Sequence, residues 1–134
     1  MLTLAVILNL LVAAGMLGMG AKYIRAKPPM DYHANILSSV PVGDEVKMVL
    51  GALYKVMGGA FCALGAGTIL LTLFGVWPDI FWAKLTILVM ALISGYLATK
   101  VTKVAEDYTK VKTPWRIAAA LTALAVIAFL VSLF

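Results

Sequence analysis

Residues 22–47 read KYIRAKPPMDYHANILSSVPVGDEVK, and this interval decides how the rest of the chain is parsed. It holds the only histidine, His33, three of the five prolines, and three acidic residues, Asp31, Asp44 and Glu45. The residues before it, 2–21, and most of those after it are apolar. Pro28-Pro29 ends the first helix, because proline lacks the N–H and its ring clashes with the preceding turn. The chain therefore restarts as separate apolar segments.

Composition then sets the solvent. Of 134 residues, 63% are hydrophobic and only 13% are charged, and the mean hydropathy is +1.03. Soluble domains carry about 25% charged residues. This chain has too few to cover its apolar surface in water. A bilayer is crossed by about 20 apolar residues in a helix. The reading is an all-α polytopic membrane protein, a single domain over 1–134, with four transmembrane helices in an antiparallel bundle. The spans fall at about 2–21, 48–76, 80–99 and 115–134, joined by loops 22–47 and 100–114. No basic residue precedes Leu2, so the first run reads as a retained span rather than a signal peptide.

The boundaries carry their own signals. The second helix is expected to start near Asp44-Glu45, whose charges suit the positive end of a helix dipole. Trp77-Pro78-Asp79 reads as a tight turn, with Asp79 capping the third helix and Trp77 and Trp82 as interface anchors. That helix is expected to run on to Lys112 as an amphipathic extension, with Val101, Val104, Ala105, Tyr108 and Val111 on one stripe. Lys103–Asp107 and Glu106–Lys110 have the spacing of i,i+4 ion pairs. Thr113-Pro114 reads as a restart, with Thr113 as the cap.

Charge predicts orientation. Loops 22–47 and 100–114 and their edges carry Lys22, Arg25, Lys27, Lys47, Lys100, Lys103, Lys110, Lys112 and Arg116, whereas the opposite face holds only Lys84. Basic residues stay in the cytoplasm, so both loops are expected inside and both termini outside. The net charge of +5 sits at the edges of apolar runs rather than in a stripe, which points to the lipid bilayer as partner and not to nucleic acid.

Candidate chemistry is sparse. The apolar spans contain no carboxylate, no pair of histidines has metal spacing, and the single Cys62 excludes an intrachain disulfide. No catalytic residue, metal or cofactor is expected. The ligand or lipid candidates are Arg25, Lys27, Asp31, Tyr32, His33 and Asn35, which together offer a base, donors and an anion-attracting field. The competing reading is a short interfacial segment in which Met30, Ile36 and Leu37 dip into lipid. Asn9 and Lys84 are the intramembrane polar candidates. Asn9 suits helix packing beside Ala5 and Ala13, and Lys84 suits snorkelling toward its helix start. Gly58, Cys62 and Ala66 form one small-residue row, Gly59, Ala63 and Gly67 another, and Gly95 lies on a third with Ala91 and Thr99. Such rows let helices approach closely.

Three segments carry a resemblance: Pro28-Pro29-Met30-Asp31-Tyr32-His33 with Ile36-Leu37, then Leu53-Tyr54-Lys55-Val56-Met57-Gly58-Gly59, and Thr113-Pro114-Trp115. The chain resembles small uncharacterised four-helix bacterial inner-membrane proteins with a Pro-Tyr-His-like motif after the first span, with Asp31 in place of that motif's proline. The resemblance implies the same architecture and a bacterial inner membrane, in which the charge bias puts the termini on the periplasmic side. His33-Ala34-Asn35 is also similar to part of the motif of the membrane glutathione transferases, although Ser38 stands where that family has a glutamate.

Together these readings predict a non-catalytic accessory or scaffold subunit that associates with other membrane subunits or with itself. The alternatives are a small transporter or lipid-binding protein using Asn9 and Lys84, and a glutathione-type enzyme using His33 and Asn35.

Overall fold

The computed structural model describes residues 1–134, except for the side chain of Asp31. All regular structure among the described residues is helical. The elements are α1 (Leu2–Arg25), α2 (Asp31–Ile36), α3 (Asp44–Leu71), α4 (Phe81–Thr109) and α5 (Trp115–Val131). A π-helical turn, Thr72–Val76, continues α3. Three helices are long and apolar enough to cross a membrane: α1, α3 with its π turn, and α4. The fourth apolar helix, α5, is shorter.

At 1.5 Å per residue, α3 with its π turn is about 50 Å long and α4 about 43 Å. Both exceed a hydrocarbon core of about 30 Å. α1 ends at Arg25, three residues before a cis Pro28–Pro29 peptide.

α1 is the central helix. It supplies Ala5 and Val6 to a cluster with Val76 and Ile87, and Val12 and Met16 to one with Ala91 and Ala125. It also supplies Tyr23 to a cluster with Met30 and Tyr54. Asn9 is buried between Ala5 and Ala13 on this inward face.

The α1–α3 seam is closed by two glycines. A Cβ at Gly20 would lie 2.5 Å from Cys62 Sγ and 2.8 Å from the Gly58 carbonyl oxygen; one at Gly58 would lie 2.8 Å from the Gly20 carbonyl oxygen. Neither backbone can yield, so only glycine fits either position. The row Gly59, Ala63 and Gly67 has a different fate: a Cβ at Gly59 or Gly67 would meet nothing within 4 Å. Ala63 and Ala66 are exposed as well. Only Gly58 and Cys62 of the two expected rows face α1. Gly95 lies against Thr122 of α5, and a Cβ there would overlap that side chain.

α3 follows α1, and α4 follows α5. The two partners of the tight turn meet mainly at the turn itself, where Gly75 of the π turn lies against Ala83 of α4. Beyond that pin their axes part. Thr72 Oγ1 donates to the Thr68 carbonyl at 2.6 Å, a backbonded threonine of the kind that bends helices.

Several boundary expectations are corrected. Asp79 does not cap α4; Ile80 is the residue before its first turn, and Asp79 adopts a left-handed φ of 65°. α4 stops at Thr109, because Lys110 turns left-handed with φ 60° and donates its N–H to the Glu106 carbonyl at 2.8 Å. The expected pairs Lys103–Asp107 and Glu106–Lys110 do not form among the described residues; Glu106 pairs with Arg116 at 3.2 Å instead. Thr113 is not the cap of α5 either. Its N–H donates to Glu106 Oε2 at 2.8 Å and its hydroxyl to the Thr102 carbonyl at 2.8 Å, which ties α4 to the start of α5. Loop 22–47 is helical at both ends and contains α2.

Candidate functional site

The divergence of α3 and α4 opens a cleft of about 570 Å³ along one side of the bundle. Met57, Ala60, Phe61 and Leu64 of α3 form one wall, and Ala91, Gly95, Ala98 and Val101 of α4 the other. Met16 and Met19 of α1 and Leu121 of α5 form the floor. Three serine and threonine side chains reach the lining, and each hydroxyl is turned onto its own helix. Ser94 donates to the Met90 carbonyl at 2.7 Å, Thr102 to Ala98 at 2.6 Å and Thr122 to Ala118 at 2.8 Å. The one O–H donor of each is spent locally, so these three side chains offer the cleft no donor, and the rest of the α3 and α4 walls is apolar.

One end of the cleft is different. Met30 is buried with Tyr23 and Tyr54, which draws α2 across the end of the bundle. This replaces the expectation that Met30 enters lipid. It brings Tyr32 and His33 to the lining. His33 Nδ1 and Tyr54 Oη are joined by a 2.8 Å hydrogen bond. The His33 ring lies 4.1 Å from that of Tyr32 and 5.3 Å from that of Tyr54. Tyr54 meets Tyr23 edge-on at 5.8 Å, and Tyr23 stacks on Phe61 at 6.1 Å. A continuous aromatic chain thus runs from the cap into the wall.

The other candidates divide around this site. Arg25, Lys27 and Asn35 are exposed and do not line the cleft. The side chain of Asp31 lies outside the described residues. His33 and Asn35, paired in the glutathione-type reading, therefore point to different surroundings. Asn9 is buried on α1 toward the opposite end.

Lys84 marks that opposite end. It is 7% exposed, and its ammonium donates to Asp79 Oδ1 and to the Ser132 carbonyl, both at 2.5 Å. The side chain leans toward the start of α4, as snorkelling requires, but it ends in protein contacts that tie the turn to the end of α5. The left-handed Asp79 is what places the carboxylate there.

Charge is distributed unequally between the ends. Ten of the eleven basic residues and five of the six acidic residues lie in the half that contains α2, whereas Lys84 and Asp79 are alone in the other. The full formal charge of +5 therefore belongs to the α2 half. Within it, Lys100 lies over the Tyr96 ring at 5.5 Å, Lys103 over Trp115 at 5.5 Å and Arg116 over Trp115 at 4.7 Å. Glu106 is held below the ordinary carboxylate value by the Thr113 N–H, helped by Trp115, Arg116 and the Thr113 hydroxyl.

Sequence reasoning missed the cleft, Tyr23 and Tyr54. The usable signal was the periodic run Ala91, Gly95, Ala98 and Thr102 on one face of α4, opposite Met57, Phe61 and Leu64 at helical spacing on α3. The three segments that carry the bacterial resemblance converge at this end: Tyr32-His33 and Pro114 line the cleft, and Tyr54 holds His33. No known protein family, curated protein or solved structure matches the chain.

Proposed function

We propose that this protein is a non-catalytic, four-span protein of a bacterial inner membrane that binds an apolar chain in the cleft between α3 and α4. The observation that carries the reading is the cleft itself, about 570 Å³ with apolar walls and a polar cap. Small-molecule sites typically measure about 300–1,000 Å³ and combine apolar walls with a few placed polar groups. The positive-inside bias supports an orientation with α2 and the α4–α5 corner in the cytoplasm and both termini outside. An alkaline-phosphatase fusion at the C-terminus should be active; an inactive, stably expressed fusion would reverse the orientation.

The binding reading is tested by native mass spectrometry of the protein released from membranes in mild detergent. Bound lipid is expected on the native chain and reduced on Ala98→Trp, whose indole narrows the cleft. Equal lipid retention in both would sink the reading.

A second reading, the accessory or scaffold subunit, is favoured by the open row Gly59, Ala63 and Gly67 on the outer face of α3. Small-xxx-small spacing on an exposed apolar helix suits contact with another transmembrane helix. A strictly monomeric species that co-purifies with no other protein across concentrations would remove it.

A further inference from the structure

The cleft changes character along its length, and on the premise that it binds an apolar chain, that gradient specifies the end of the ligand. We infer that the occupant is a ring-headed lipid, a quinone-type ring on a hydrocarbon tail. The ring lies under α2 and the tail runs between α3 and α4. The aromatic side chains of the lining, Tyr23, Tyr32, His33 and Phe61, gather at the α2 end. Through Tyr54 they form one connected set, with neighbouring ring centroids 4.1 to 6.1 Å apart. Two lining methionines join them: Met19 packs on the Tyr23–Tyr54 cluster, and Met57 stands between Tyr54 and Phe61 on α3. Farther along, Met16, Leu64 and Ala91 belong to a cluster with the aliphatic Val12 and Ala125.

Charge then excludes the commoner headgroups from the α2 end. Among the described residues, no lysine, arginine, aspartate or glutamate lines the cleft. A charged headgroup drawn under α2 would lose its water without gaining a partner charge, which costs far more than burying a neutral polar group. A hydrocarbon end would set Tyr32 and His33 against methyl groups. A neutral ring avoids both costs. Its face and edge meet the aromatic set, and thioethers such as those of Met19 and Met57 suit contact with a ring. Its carbonyl oxygens accept from donors of the kind that tyrosine and histidine carry. Tyr54 orients His33 for this role. The 2.8 Å bond engages Nδ1, and Tyr54 itself is buried and takes no part in the lining, whereas His33 does.

The experiment places the full-length chain in phosphatidylcholine nanodiscs that hold, at equal mole fraction, a benzoquinone with a two-unit prenyl tail and the ringless prenyl alcohol of the same tail. Retained molecules are read by native mass spectrometry for the native chain, His33→Phe and Ala98→Trp. The quinone is expected on the native chain at least about fivefold over the alcohol, a comparison that needs no variant. His33→Phe keeps an aromatic ring but removes both nitrogens; it should lower quinone retention about fivefold and leave alcohol and phospholipid retention unchanged. Ala98→Trp should lower all three. In the native chain the quinone should slow amide hydrogen exchange in α2 and leave the turn at 77–80 unchanged.

Equal retention of quinone and alcohol, both lowered by Ala98→Trp, would overturn the ring-headed ligand and leave the cleft reading intact. A quinone preference that His33→Phe leaves whole, or exchange in α2 that the quinone does not slow, would overturn the placement of the ring under α2. Retention that survives Ala98→Trp unchanged, or nothing retained on the native chain, would overturn the cleft reading itself.

Discussion

The seam between α1 and α3 and the cleft between α3 and α4 are lined by similar residues and end in opposite states. On the seam, Gly20 faces Gly58 at the same height, and the two backbones approach until neither tolerates a Cβ. Across the cleft, Ala91, Gly95 and Ala98 face Met57, Phe61 and Leu64, yet the walls stand apart. The difference lies in what each helix is tied to. α4 is held to α5 by Gly95 against Thr122 and by the Thr113–Glu106 corner, while α3 is held to α1. Small residues permit close approach; the rest of the bundle decides whether it happens.

The sharpest way to break this comparison is a pair of substitutions on adjacent residues. Gly58→Ala forces a Cβ to within 2.8 Å of the Gly20 carbonyl oxygen and is expected to cost about 2–3 kcal/mol. Gly59→Ala, one residue on, meets open space and should lie within about 1 kcal/mol of the native chain, on the stabilising side because alanine favours helix. Denaturant unfolding in detergent micelles compares the two, and equal effects would dismiss the seam. Lys84→Met should come next, at about 2 kcal/mol, since it removes charge-assisted bonds to Asp79 and Ser132 from a buried ammonium. Faster hydrogen exchange at the end of α5 is the local readout; unchanged exchange there would mean that the lysine does not tie the turn to α5.

Smaller effects sharpen the cleft side. Tyr54→Phe removes the bond to His33 at little change in volume and should cost about 1 kcal/mol. Exchange protection should fall in α2 and not in α5. Loss spread evenly over the chain would argue that α2 is not held by this contact. The smallest effect is a pH dependence at the α4–α5 corner. Glu106 titrates below its ordinary value of 4.5 because the Thr113 N–H and its neighbours favour the charged form. Its contribution is therefore complete above about pH 4.5 and declines as pH falls from there through the lower folded value. Acid titration of Glu106→Gln should lack this decline; identical acid profiles would remove the carboxylate from the corner's stability.

Much of the architecture was legible in the residues. The apolar runs, the proline breaks, and the Asp44-Glu45 start appear where the helices begin and end, to within a few residues. The charge bias was legible too, since the +5 belongs to one end. The turn chemistry was less so. Asp79 and Thr113 both have the residue type of a helix cap, but each is used by a distant partner, Lys84 or Glu106, that local propensity cannot see. Of the polar candidates, Tyr32 and His33 reach the cleft, while Arg25, Lys27 and Asn35 remain on the surface. Periodicity alone does not assign the two small-residue rows of α3 to different neighbours. They lie on adjacent faces of one helix, and only the position of α1 separates them.

By itself, then, the sequence determined the solvent, the helices and the end at which charge accumulates, because these depend on local composition and short-range periodicity. Tertiary structure alone decided that Gly58 closes a seam while Gly59 faces open space, that Tyr54 holds His33 at the cleft mouth, and that α3 and α4 part beyond their turn. Those outcomes depend on which helix stands opposite at a given height, and that is a property of the whole bundle.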